Sequence, residues 1–156
     1  MELKATVSLK GAIFDGTAPE IIRKALESAM YEATAFLERQ VREKTPVRTG
    51  HLRSTIHGEV IPFGTAVKGI VGHQCKYGDL VEFGTGVYGP KGQAYTIVPK
   101  DKKALWWPGA KHPVGKVTQK GFPGRFMFTR TFTEDWAKLQ AIFDNAGFNI
   151  VQELGK

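Results

Sequence analysis

Two stretches of this chain hold residue types that could do chemistry, and both lack the setting that chemistry needs. Gly84-Thr85-Gly86-Val87-Tyr88-Gly89 matches the G-x-G-x-x-G pattern of dinucleotide sites. That pattern works when a helix follows directly, so that its free N–H groups and its dipole meet the pyrophosphate. Here Pro90-Lys91-Gly92 follows, without helical periodicity, so no nucleotide is expected. His73 and Cys75 stand two residues apart, which puts them on one face of a strand. A nucleophilic thiolate needs a base oriented by a third group, and none is evident; a small buried thiol is the plainer reading. His51, His57, His73 and His112 show no recognised metal-ligand spacing. Ser54 with His57 lacks the strand–turn–helix context of a nucleophile elbow. No pair of carboxylates stands out, so the sequence predicts no enzyme, no cofactor and no metal.

One carboxylate is conspicuous for its neighbours. Glu82 lies among Tyr77, Leu80, Val81 and Phe83, which could anchor one short turn or helix on a core. A carboxylate there is costly to bury unless paired. It is expected to meet a backbone N–H or an arginine, with Arg53 the first candidate. A solvated Glu82 at a loop edge is the alternative.

Charge is distributed unevenly. The net charge is +7. Lys91, Lys100, Lys102, Lys103, Lys111, Lys116, Lys120 and Arg125 are opposed within 91–125 by Asp101 alone, so this segment carries the whole excess. Such a patch attracts polyanions over roughly 8–10 Å at ordinary salt. A solvated, lysine-rich hairpin that only keeps the protein soluble is the other reading.

The elements that must position these residues follow from periodicity. At 156 residues the chain is long enough for a single domain with its own core, without staples. One cysteine excludes an internal disulfide and suits a reducing compartment. No apolar run approaches the roughly 20 residues of a membrane span, and Met-Glu-Leu-Lys lacks the apolar core of a signal peptide. Residues 2–9 alternate apolar and polar, as a half-buried strand does. Thr17 and Glu20 form a capping-box pattern with Pro19 in the first turn. Ile22, Leu26, Ala29, Ala33, Phe36, Leu37 and Val41 then recur at helical spacing. The helix should run from Ala18 to Lys44, with Glu20–Lys24 and Glu38–Arg42 as i,i+4 ion pairs and Lys44 at the negative end of its dipole.

Pro46 stops that helix, since it has no N–H and disfavours helical geometry at Thr45. Gly50 can take positive φ in the bend that follows. The hydroxyls of Thr49 and Ser54 can satisfy stray backbone donors, and Leu52 and Ile56 can pin the bend to a core. Thr55–Ile61 and Val67–Gly72 read as antiparallel strands turned by Pro62-Phe63-Gly64. Thr96–Pro99 and Ala104–Pro108 read as a hairpin across Lys100–Lys103, with a further strand near Val114–Thr118. Phe128, Phe132, Trp136, Leu139, Phe143 and Ala146 follow helical spacing, with a stop expected at Asn145 or Gly147. The tail beyond, Phe148 to Leu154, is too apolar to float free.

The string Thr45-Pro46-Val47-Arg48-Thr49-Gly50-His51-Leu52-Arg53-Ser54-Thr55-Ile56 resembles the signature of phage head–tail joining proteins, the neck or tail-completion proteins of long-tailed, non-contractile bacteriophages. Tyr77-Gly78-Asp79-Leu80-Val81-Glu82-Phe83-Gly84-Thr85 resembles that family's second signature. Thr96–Trp107 is similar to its sheet hairpin, and Gly121–Met127 resembles, more loosely, the approach to its last helix. Arg125 stands where a proline is common.

The resemblance implies an α+β fold, with a long N-terminal amphipathic helix packed on an antiparallel sheet and a second C-terminal helix. Its structural signature maps onto Thr45, Pro46, Thr49, Gly50, Leu52, Arg53, Tyr77, Glu82, Phe83, Gly84 and Thr85. It implies a homo-oligomeric ring, probable stoichiometry six, in the virion neck between the head connector on the portal side and the tail tube or tail terminator, assembled in the host cytoplasm. The contacts expected are flexible loops at 84–95 and 109–125 and the C-terminal tail. The basic segment would then face passing DNA through phosphates alone, or grip an acidic neighbouring ring. A second reading is a stand-alone nucleic-acid-binding domain, in which Tyr95, Trp106, Trp107 and Phe122, interleaved with the basic residues, stack on bases.

Overall fold

The computed structural model describes residues 16–63 and 66–155. The strand expected over 2–9 lies outside the described residues, as does Gly64 of the expected turn. The described elements, in order, are α1 (Ala18–Lys44), α2 (His51–Ser54), β1 (Ile56–Phe63), β2 (Ala66–His73), α3 (Gly78–Phe83), a 3-10 turn (Gly86–Tyr88), β3 (Tyr95–Ile97), β4 (Val117–Gln119), α4 (Met127–Glu134) and α5 (Trp136–Leu154). This is an α+β fold: the long N-terminal helix packs on antiparallel strands, and a long C-terminal helix contacts it. The chain forms two compact units. One comprises 1–44, 56–72 and 130–156; the other comprises 45–55 and 73–129.

The first unit is built around α1, which has the limits its caps and periodicity predict. Ala29, Ala33, Thr34 and Val41 form its buried face. The crossing with the β1–β2 pair is close because both strands place a glycine under Thr34. A Cβ added at Gly58 or Gly69 would run into the Thr34 side chain. Glycine inside a strand commonly marks such an approach. The Glu38–Arg42 pair does more than close an i,i+4 bridge of 2.7 Å. Glu38 accepts the Gly58 N–H at 2.7 Å, and the Arg42 guanidinium donates to the Ile56 carbonyl at 2.6 and 3.1 Å. The pair thereby satisfies backbone groups of β1 and sets the register of the helix over the strand. Ile56, at the start of β1, is fully buried.

The C-terminal helix differs from the sequence expectation in three ways. It is broken at Asp135 into α4 and α5. It does not stop at Asn145 or Gly147, but runs to Leu154 and closes at Gly155. The segment read as a tail is therefore helix. Packing overrides the weak helix formers here: Leu139 and Ala146 are buried and Ile150 half-buried, so the contact stripe continues past Gly147. The break coincides with a buried charge cluster. Asp135 is 5% exposed, and its carboxylate accepts from Lys44 at 2.6 Å and Lys138 at 2.9 Å. Those two hydrogen bonds hold the Asp135 carboxyl below its ordinary pKa. Burial pulls the Lys44 ammonium down, but its bonds to Asp135 and Glu134 outweigh that and leave it raised. Lys44 thus ends α1 on a charge cluster as well as on the helix dipole.

Of the residues read at helical spacing, Leu139 and Ala146 are buried and Phe128 half-buried, whereas Phe132, Trp136 and Phe143 are exposed. Phe132 and Trp136 are each 54% exposed and touch each other at 5.4 Å between ring centroids. Between Met127 and Leu154 the buried positions are Met127, Thr131, Asp135, Leu139 and Ala146.

The second unit holds β3 and β4, which pair antiparallel with Tyr95 opposite Gln119 and Ile97 opposite Val117. The hairpin expected between 96–99 and 104–108 does not form. Leu105 bridges Val114 instead, its N–H and carbonyl both bonded across. The strand foreseen near Val114–Thr118 is the true partner, and the lysine-rich stretch is the interior of a longer excursion.

Candidate functional site

The bend at 45–55 is a tight, self-satisfied structure. Gly50 takes φ 81°, a left-handed conformation that suits glycine, and launches α2. The Thr49 hydroxyl lies 3.5 Å from the His51 N–H, at the limit of a hydrogen bond. Ser54 donates to the His51 carbonyl rather than accepting from a stray donor. This also leaves it unlike a poised nucleophile. Leu52 is buried and anchors the turn. Pro46 follows Thr45, which is 2% exposed and sends its hydroxyl to the Met127 sulfur at 3.3 Å. Arg53 donates to the Thr45 carbonyl at 3.2 Å, closing the bend on itself.

Glu82 is 4% exposed and fully engaged. Its carboxylate accepts the Phe128 N–H at 3.1 Å, the Thr129 N–H at 3.0 Å and the Thr129 hydroxyl at 2.9 Å. It therefore caps the first turn of α4, where free N–H groups and the positive end of the helix dipole favour an anion. Arg53 is not its partner, because the first turn of α4 already fills the carboxylate. The backbone N–H expected as one option for Glu82 is the one realised. Tyr77, Leu80 and Phe83, expected as core anchors, are 42%, 50% and 48% exposed. The short helix α3 forms as expected, with Val81 half-buried, but it buries Glu82 and leaves Leu80 and Phe83 exposed.

Glu82 belongs to a wider clasp. Segment 81–87 runs against 120–129 through main-chain bonds from Thr85 to Phe122, Val87 to Lys120, Arg125 to Val81 and Phe126 to Glu82, all 2.8–3.0 Å. The Thr85 hydroxyl also accepts the Phe122 N–H. Gly86 and Gly121 sit face to face at positive φ, and a Cβ on either would strike the other segment's carbonyl. Phe126 takes φ 51° at the foot of α4, a costly conformation for a bulky residue that the Val81 and Glu82 carbonyls impose. The glycines of the G-x-G-x-x-G match thus serve close backbone approach. The 3-10 turn Gly86–Tyr88 lies inside the match, and the next element after it is the strand β3, not an α-helix that could receive a phosphate.

The two signature segments meet, though through other side chains than the sequence suggested. The rings of His51 in the bend and Tyr77 before α3 lie 6.3 Å apart between centroids, tilted at 45°. The Gln74 N–H bonds the Thr55 carbonyl. Cys75 is buried, and its hydrogen bond with Tyr77 raises the phenol above its ordinary pKa. His73 turns to Asp79 at 3.2 Å and to the Phe128 ring at 5.8 Å, so the histidine and the thiol serve different neighbours. Neither His51 nor the Phe128–Thr129 amides carried a signal in the sequence, since main-chain donors leave no residue type to read. Among the described residues no group of His, Cys, Asp and Glu is placed to hold a metal ion. Among the described residues no helix is long and apolar enough to cross a membrane.

The basic segment is the opposite of the clasp. No residue of 91–120 is buried, and all eight basic side chains are exposed. Trp106 is 64% exposed, Val98 58% and Trp107 46%. Lysines and large apolar side chains thus share one solvent-facing arm.

Residues 16–84 match the model of the HK97-gp10-like family, described as "Bacteriophage HK97-gp10, putative tail-component". The match starts just before α1 and ends just after α3, so it contains the bend and most of the second signature. The arm, α4 and α5 lie beyond it. No curated protein and no solved structure matches the chain.

Proposed function

We infer, from the match of residues 16–84 to the HK97-gp10-like family of bacteriophage tail components, a structural part in joining head to tail. It is a virion component and not an enzyme. The proposed place is the neck, as a ring of identical copies, six in number, between the head connector and the tail tube or tail terminator. The observation that carries this reading is the family match across the bend and α3. The geometry supports it further. The bend and the clasp hold Thr45, Arg53 and Glu82 in internal hydrogen bonds, whereas the arm, Phe132 and Trp136 are exposed. A part that works by shape needs that division: a fixed frame and surfaces left for neighbours.

Removing the gene from the phage that encodes it tests the reading. Filled heads and finished tails should accumulate unjoined, and added protein should restore joining. Normal joining without the protein overturns the assignment. The mass of the protein in assembled tails gives the copy number directly.

The exposed arm favours one second reading, direct binding of nucleic acid. Its basic residues would neutralise phosphates while Trp106 and Trp107 stack on bases. Binding to single- and double-stranded DNA over a salt series separates the two. Tight binding by the monomer that falls steeply with salt supports the second reading; weak binding supports the first.

A further inference from the structure

Two exposed surfaces of this chain complement each other. The first is the arm, residues 91–120, with seven lysines and Asp101 alone against them, and with Trp106 and Trp107 in the open. The second is the outer side of α5. Phe143, Gly147 and Val151 recur there at i, i+4 and i+8, one stripe of a helix, with Phe148 beside them. Phe148 and Val151 are 64% and 69% exposed. From Gln140 to Leu154 the helix carries Asp144 and Glu153 and no basic residue.

Gly147 strengthens the case. Glycine weakens a helix interior relative to alanine. Packing among the described residues gives no reason for it, since a Cβ at Gly147 would meet none of them within 4 Å. A flat spot among large apolar side chains is what a flat aromatic ring from outside needs to sit close.

We propose that the arm of one copy seats on α5 of the next, with Trp106 and Trp107 over the stripe at Gly147 and Val151 and the arm's lysines around Asp144. The occupant is a second copy because the two patches are opposite in charge, alike in apolar character and present on the same chain. They are also different from each other, so the contact is head-to-tail and repeats around a ring. The inference rests on the ring reading and assigns its interface.

The test is a disulfide trap in tails assembled in infected cells. The chain carries Pro108→Cys, an exposed position beside the two tryptophans, and Val151→Cys together, and each alone. After oxidation the double variant should run without reductant as a ladder of covalent multimers, and each single variant as monomer. Cys75, buried and present throughout, is the internal control. Gly147→Gln, which helix propensity favours, should leave the fold intact and cut the ladder at least tenfold. No ladder in tails that contain several copies overturns this interface and leaves the ring reading standing. One copy per tail overturns both. A dimer from Val151→Cys alone marks a two-fold contact and also overturns the proposal.

Discussion

The clasp and the arm adjoin in the chain and are built on opposite principles. In the clasp, segments 81–87 and 120–129 share main-chain bonds, face glycine to glycine, and bury a carboxylate with three donors. In the arm, two strands of three residues each pair, and the segment between them buries nothing. A two-stranded ribbon alone is marginal in water. Its exposed tryptophans add apolar area that only a partner can cover. The difference teaches where each part gets its stability: the clasp from itself, the arm from what it meets. Substitutions in the clasp should therefore unfold the monomer, and those in the arm should not.

The sharpest break is at Gly86. Valine there would be forced to φ 63° and driven into the Lys120 carbonyl. Strain and collision together should cost about 3–5 kcal/mol. Urea unfolding of Gly86→Val checks this, and a loss under about 1 kcal/mol would mean the clasp gives way easily.

Glu82→Gln is the next largest. The amide keeps one acceptor oxygen but loses the charge that the α4 amides favour, for a cost of about 1–3 kcal/mol. The same urea series measures it. A neutral result would show that the first turn of α4 caps itself.

Acid should weaken the helix pair of the first unit by a smaller step. The Asp135 carboxyl is held below its unfolded value by Lys44 and Lys138. Its contribution is present above the ordinary aspartate range, about pH 4, and fades as pH falls through the lower folded value. Lys44→Met should therefore shrink the drop in urea midpoint between pH 6 and pH 2.5. An unchanged drop would assign the acid sensitivity to other carboxylates.

How much of this was legible follows from which groups do the holding. The limits of α1 were readable because Pro46, the capping pattern and the apolar stripe are local. The positive φ at Gly50 and the buried Leu52 were readable for the same reason. The need to pair Glu82 was legible as a cost, but its partner was not. The Phe128 and Thr129 amides have no residue signature, so an arginine was the natural guess. The wrong hairpin at 96–108 arose from reading the nearest β-like runs as partners, whereas Tyr95–Ile97 pairs across twenty residues with Val117–Gln119. The aromatic residues of α4 and α5 misled in the other direction. Helical spacing gives a stripe but does not say which side the core lies on, and here Thr131 and Asp135 face inward while Phe132 and Trp136 face out. Gly58 and Gly69 carried a signal that strand reading passes over: glycines in both strands of a pair mark where a helix crosses.

The smallest expected effect is the one the comparison leans on most. Trp106→Ser removes a large side chain that is 64% exposed from an arm without buried residues. Surface changes away from caps, cavities and buried polar groups stay within about 0.5 kcal/mol, so the urea midpoint of the monomer should hardly move. The same variant should be poorly retained in purified tails, because the ring it removes is contact surface and not core. A loss of monomer stability of 2 kcal/mol or more would place Trp106 in a packed interior, and the arm would then be a second clasp rather than a surface waiting for a neighbour.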